Sequence, residues 1–196
     1  DTNLKTLILN KIGKEKGRIF KDELLTITSL NLSSAGIETI EGIEHIINLE
    51  ELNLSNNNIS ELTPLTDLTK LNFLNLSNNK ISDISTLENL YHLQFLNLAI
   101  NNINTTINLN NLHLLKELNL SLNNISDISY LDACTKLQFL SIDFNQISDV
   151  SVISNMPELH TLHWGKNDIS DISSLQNLTQ IKTLDLSANK IQDLSP

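Results

Sequence analysis

The sequence predicts an α/β solenoid: a right-handed superhelix with a parallel sheet along its concave side and short 3-10 or irregular turns on its convex side. Three observations predict it. Written in rows of twenty-two, the chain repeats eight times without insertion or deletion, from Ile27, Leu49, Leu71, Leu93, Leu115, Leu137, Leu159 and Ile181. Counting each row start as position 0, position 3 is leucine in all eight rows, and position 5 is Leu or Ile in all but one, which has Trp164. Position 8 is asparagine in seven rows, from Asn57 to Asn189 at intervals of twenty-two, with Ala35 in the first.

Each element follows in chain order. Leu4, Leu7, Ile8 and Ile12 share one helical face, which ends at Gly13 and the solvated turn "GKEKG". "KDELL" after Phe20 reads as a second short helix. Residues 1–26 are therefore expected to be a helical N-terminal cap over the apolar end of the stack, with residues 27–196 as the repeat domain. Within a row, alternation at positions 3 and 5 makes a short strand with its leucines on one face. One such unit cannot bury that face alone, so copies stack and share a continuous core. The asparagine at position 8 turns inward where the chain leaves the strand, and its amide both donates and accepts for backbone groups orphaned by the turn. Ser82-Asp83, Ser126-Asp127, Ser148-Asp149 and Ser170-Asp171 precede the next apolar residue and read as caps for short helical turns. Positions 10, 13, 16 and 19 are apolar almost throughout, with Thr106 and Cys134 as substitutions. The pattern is that of a leucine-rich repeat.

Charge narrows the function. Residues 1–26 carry six Lys/Arg against four Asp/Glu, and the remainder seven against nineteen, for a net charge of -10. An acidic body disfavours nucleic acid and anionic membrane surfaces as partners. No apolar run approaches the roughly 18 residues of a membrane span. A lone Cys134 excludes an internal disulfide framework and reads as a small buried residue. The chain opens on Asp1 and stops mid-row at Pro196, aligned with Pro64, so a processed or excised piece of a longer protein is expected.

Rows such as "LNFLNLSNNKISDISTLENL", together with the lead-in "LKTLILNKIGKEKG" and "KDELLTITSLNLSSAGIETIEGIEHIINLEELNLS", resemble internalin-like bacterial surface proteins over essentially the whole chain. The resemblance implies a cell-surface or secreted, non-enzymatic module that binds a protein on its concave face, a host surface protein being one such partner. A similar repeat occurs in cytosolic phosphatase-regulating proteins, which leaves a cytoplasmic regulatory or scaffolding subunit as the alternative.

Candidate binding residues come from the outward positions. Position 2 holds Phe73, Phe95 and Phe139 with Glu117 among them, where an open sheet face would carry polar residues. Position 7 holds Ile100, Leu122 and Phe144 in consecutive rows, where the other rows have Ser34, Asn56, Asn78, Lys166 and Ala188. Both columns are expected to form one apolar patch, ringed by polar residues that include His163. Position 4 runs Asn31, Asn53, Asn75, Asn97 and Asn119, then Ser141, His163 and Asp185. The last three stand in triad order, but an open face without an oxyanion hole or a strained nucleophile turn argues against catalysis. A metal site from His160, His163, Asp143 and Asp185 is disfavoured because two histidines three apart near a strand face opposite ways. The acidic column from Glu61 to Asp193 falls once per turn at the capping position, so it reads as structural. Trp164 before Gly165 reads as core packing with a local bulge. No cofactor is expected, and the chain is expected to be monomeric.

Overall fold

The computed structural model describes residues 1–104 and 109–194. Thr106 and Pro196 lie outside the described residues. Two helices come first: α1 (Thr2–Lys11) and α2 (Lys21–Leu24). The eight rows then contribute one strand each: β1 (Ser29–Asn31), β2 (Glu51–Asn53), β3 (Phe73–Asn75), β4 (Phe95–Asn97), β5 (Glu117–Asn119), β6 (Phe139–Ser141), β7 (Thr161–His163) and β8 (Thr183–Asp185). They form one parallel sheet in sequence order, each residue registered with the residue twenty-two further on. Between strands the return path holds 3-10 turns such as Ser85–Asn89 and Ser151–Asn155. The chain is a leucine-rich repeat solenoid.

The helices cover the first row. Leu4, Ile8 and Leu24 join the same core cluster as Leu30 and Leu32, which are thereby buried. The Asp1 carboxylate accepts the Asn3 and Leu4 N–H groups at the start of α1 and reaches Glu38 N in the first row. Asn3 Nδ2 donates to Ala35 O, at the one row whose inward asparagine is missing. Glu23 accepts the Phe20 N–H and pairs with Lys14 at 2.6 Å, which fixes α2 against the preceding loop.

Inside the sheet the asparagines of position 8 form a continuous ladder. Asn101 Nδ2 donates to Leu76 O and Leu98 O, both at 3.0 Å, and its Oδ1 accepts the Ile81 N–H at 3.0 Å. Asn123 repeats the arrangement one row on, donating to Leu98 O and Leu120 O and accepting from Ile103 N. The carbonyls of Leu54, Leu76, Leu98 and Leu120 at position 5 are each shared by their own row's asparagine and the next, which locks neighbouring rows in register.

Four aspartates of the acidic column bond the return turns, as their spacing predicts. Asp83, Asp127, Asp149 and Asp171 each accept the N–H two residues on, from Ser85, Ser129, Ser151 and Ser173, at 2.8 Å. Those backbone bonds, helped by the same serines' hydroxyls, hold the Asp83, Asp149 and Asp171 carboxyls below the ordinary aspartate value. A group whose folded pKa is depressed stabilises the fold while ionised and loses that contribution as pH falls through its folded value. Thermal stability is therefore expected to hold near neutrality and to decline below about pH 4. The Asp83→Asn, Asp149→Asn, Asp171→Asn variant keeps an acceptor oxygen without the charge. Its melting temperature, measured across the acid range, should fall less steeply than that of the wild type.

The bulge expected at Trp164-Gly165 is not formed. Strands β6, β7 and β8 pair residue for residue through Leu140, Leu162 and Leu184. Trp164 is fully buried, as the packing reading requires. Gly165 is needed for space: a Cβ there would lie 2.9 Å from Ser187 Oγ and 3.3 Å from Asp143 Oδ1 and Asp185 Oδ2. Asp143 Oδ1 also accepts the Gly165 N–H at 2.7 Å. Cys134 is buried, and burial pushes its thiol up to about 12, so it is protonated at neutral pH and inert as a nucleophile.

Candidate partner-binding surface

The candidate residues lie in two columns along the concave sheet. In the first, register sets Phe73 beside Phe95, Glu117 beside Phe95, and Phe139 beside Glu117. Phe73 and Phe95 stack face to face, centroids 4.3 Å apart and planes 8° apart. Phe139 leans on the His163 ring at 5.8 Å and 43°. All three phenylalanines are half-buried by the sheet beneath them and open to solvent above. Phe95, Glu117 and Phe139 line a depression of about 140 Å³ whose other walls include Asn97 and Asn119.

The second column sits where each strand turns out of the sheet. Position 7 has a left-handed backbone in every row, with φ between 53° and 58° from Ser34 to Ala188. Backbone hydrogen bonds hold most of these residues in place, two each for Asn78, Ile100 and Leu122. Ile100 N donates to Ser121 O, Asn79 N donates to Ile100 O, and Leu122 N donates to Asp143 O. Asparagine suits that conformation, and Asn78 Nδ2 even bonds Asn56 Oδ1 at 2.8 Å along the column. Isoleucine suits it poorly, since a β-branched side chain at positive φ clashes with its own backbone at a cost of roughly 1–2 kcal/mol. Yet Ile100, Leu122 and Phe144 occupy it and remain 47%, 45% and 45% exposed. Their side chains do not tuck into the turn. Lys166, the next in the column, lies over the Phe144 ring at 4.2 Å.

The two columns stand five positions apart in each row. Between them lie the side chains of positions 4 and 6, and the position 4 asparagines have a structural task that outward alternation does not reveal. Asn53, Asn75, Asn97 and Asn119 each accept the N–H two residues on, at 3.0 Å, and so shape the turn that leads to position 7. Asn31 and Asp185 do the same. The polar strip between the apolar columns is therefore made of fixed, already bonded amides.

Ser141, His163 and Asp185 are adjacent by register but do not link as a relay. Ser141 is buried and bonds Asp143 Oδ2 at 3.0 Å and Ser121 Oγ, while Asp185 accepts the Ser187 N–H. His160 Nδ1 meets the Thr161 hydroxyl. Among the described residues, no group of three or more His, Cys, Asp or Glu side chains is placed to hold a metal ion, and no helix is long and apolar enough to cross a membrane.

Comparison with known proteins agrees with this architecture. The family model for leucine rich repeats (2 copies) matches residues 47–89 and 113–155. No curated protein matched the sequence. Internalin C2 from Listeria monocytogenes is 36% identical with a TM-score of 0.96, and the match covers all of this chain and 87% of that one. An internalin F from the same organism is 32% identical with a TM-score of 0.60, over 99% of this chain and 71% of that one. The repeat ectodomain of the Arabidopsis thaliana receptor kinase GASSHO1/SCHENGEN3, solved in complex with Casparian strip integrity factor 2, is 28% identical with a TM-score of 0.73. That match covers 82% of this chain and 21% of the receptor. Fold, repeat and extent of identity agree: the chain belongs to the internalin-like leucine-rich repeat proteins.

Proposed function

We propose that this chain is a non-enzymatic recognition module, carried outside a bacterial cell, that binds a protein through its concave face as a monomer. The observation that carries the reading is the position 7 column. Three bulky apolar side chains are kept half-exposed in a left-handed backbone that disfavours them, while the other rows carry Ser, Asn, Lys or Ala there. Strain and exposure together have no folding benefit, and strain of this kind concentrates where a surface serves a ligand. The aromatic column across the same face supplies anchors of the type that dominate protein interfaces. An extracellular setting is supported by the Listeria internalins, and binding of a separate factor on the same fold by the plant receptor ectodomain solved in complex with Casparian strip integrity factor 2.

The test is to immobilise the chain and screen a panel of recombinant extracellular protein domains. Substituting Ile100→Asn and Leu122→Asn should weaken capture of any retained partner at least about tenfold, by removing two interface anchors. The same variant should unfold no more easily than wild type and gain up to about 1 kcal/mol, because relief of left-handed strain outweighs the lost half-burial. Unchanged capture, or a stability loss above about 1 kcal/mol, contradicts the reading.

A further inference from the structure

The aromatic column is interrupted once, and the interruption has a definite chemistry. Between Phe95 and Phe139 stands Glu117, on the strand that separates them. Phe95 is held as a flat wall by its stack on Phe73, and Phe139 is propped from the far side by His163. The gap is thus a slot with aromatic sides and a carboxylate at its centre. Glu51 occupies the same column, but Ser29 Oγ bonds its carboxylate at 3.0 Å. Among the described residues the Glu117 carboxylate is exposed and makes no hydrogen bond or ion pair. Asn97 and Asn119, which flank the slot, have their Oδ1 atoms committed to Ala99 and Ser121 N–H groups.

We propose that this slot receives an arginine side chain of the protein partner, stacked between Phe95 and Phe139 and paired with Glu117. The inference rests on the reading of the concave face as a protein-binding surface. Aromatic faces attract cations, and an unpaired carboxylate beside them selects a cation over a neutral apolar group. A planar guanidinium stacks on a ring and forks to a carboxylate at once, which an ammonium cannot do. A bare metal ion is disfavoured, since one carboxylate flanked by amides offers it too little charge. At about 140 Å³ the space suits one side chain rather than a free ligand, whose pockets run to roughly 300–1,000 Å³. The acidic body of the chain, net -10, attracts a basic segment from a distance.

The test titrates the peptide acetyl-Gly-Arg-Gly-amide into isotopically labelled protein and follows the Phe95 and Phe139 ring and Glu117 carboxylate resonances. A saturable, millimolar shift confined to these groups is expected. Replacing the arginine by citrulline, which keeps the shape and removes the charge, should weaken it at least about fivefold, and so should Glu117→Gln. The slot assignment is overturned if the arginine peptide leaves these resonances unmoved, or if citrulline or Glu117→Gln binds as well. Partner capture separates the two readings. Loss of capture in Ile100→Asn with Leu122→Asn, but not in Glu117→Gln, retains the concave surface and rejects the slot. Capture indifferent to every one of these substitutions rejects the wider reading, whatever the peptide does.

Discussion

Asn101→Ala should destabilise the protein by about 3–4 kcal/mol, as much as a large core truncation, although it removes only one amide. The side chain is buried, and the Ile81 N–H that donates to its Oδ1 has no other acceptor among the hydrogen bonds of the described residues. Deleting the acceptor leaves that donor buried and unpaired, at about 1–3 kcal/mol, and the bonds to Leu76 O and Leu98 O are lost as well. Leu98 O keeps Asn123, so the damage centres on the junction between the third and fourth rows. Asn101→Asp should be at least as harmful at neutral pH, because a carboxylate would face two carbonyl oxygens it cannot bond. The neighbouring Asn102→Ala is the control: its side chain is exposed, and a change within about 0.5 kcal/mol is expected. Urea unfolding of the three variants checks all of this.

The scaffold was legible in the sequence because its physics repeats. A leucine that must be buried eight times, and an inward asparagine that recurs seven times, leave a pattern no single row could. Two residue columns were legible only in part. Alternation places Asn53, Asn75, Asn97 and Asn119 on the outward face, but it cannot say that each carboxamide folds back onto its own backbone two residues later. The left-handed backbone at position 7 left a trace, since Asn56 and Asn78 are the residues that tolerate it best, yet Ile100 and Leu122 in the same column obscured it. Those two residues were recognised as out of place by composition; their strain is visible only once φ is known. At Gly165 the pairing of a bulky core residue with glycine suggested a bulge, whereas it is crowding of the missing Cβ, by Ser187 Oγ first and by the Asp143 and Asp185 carboxylates next, that favours glycine.

The second large effect is expected at the aromatic column. Phe95→Ser with Phe139→Ser removes both walls of the slot, and interface aromatics of this kind each contribute about 2 kcal/mol or more, so partner affinity should drop at least about a hundredfold. Stability should change far less. The rings lie on the solvent side of the sheet, above the fully buried Leu96, Leu118 and Leu140. What is lost is the Phe73–Phe95 stack, the Phe139–His163 contact and part of each ring's burial, together at most about 2 kcal/mol. Phe73 remains to cover its own strand.

The most direct test of the central claim, that the exposed apolar columns serve a partner and not the fold, measures capture and urea unfolding side by side on that double variant. Capture reduced to background with an unfolding midpoint close to wild type is the predicted result. A variant that unfolds like Asn101→Ala while still holding the partner would make the phenylalanines part of the scaffold and contradict the account.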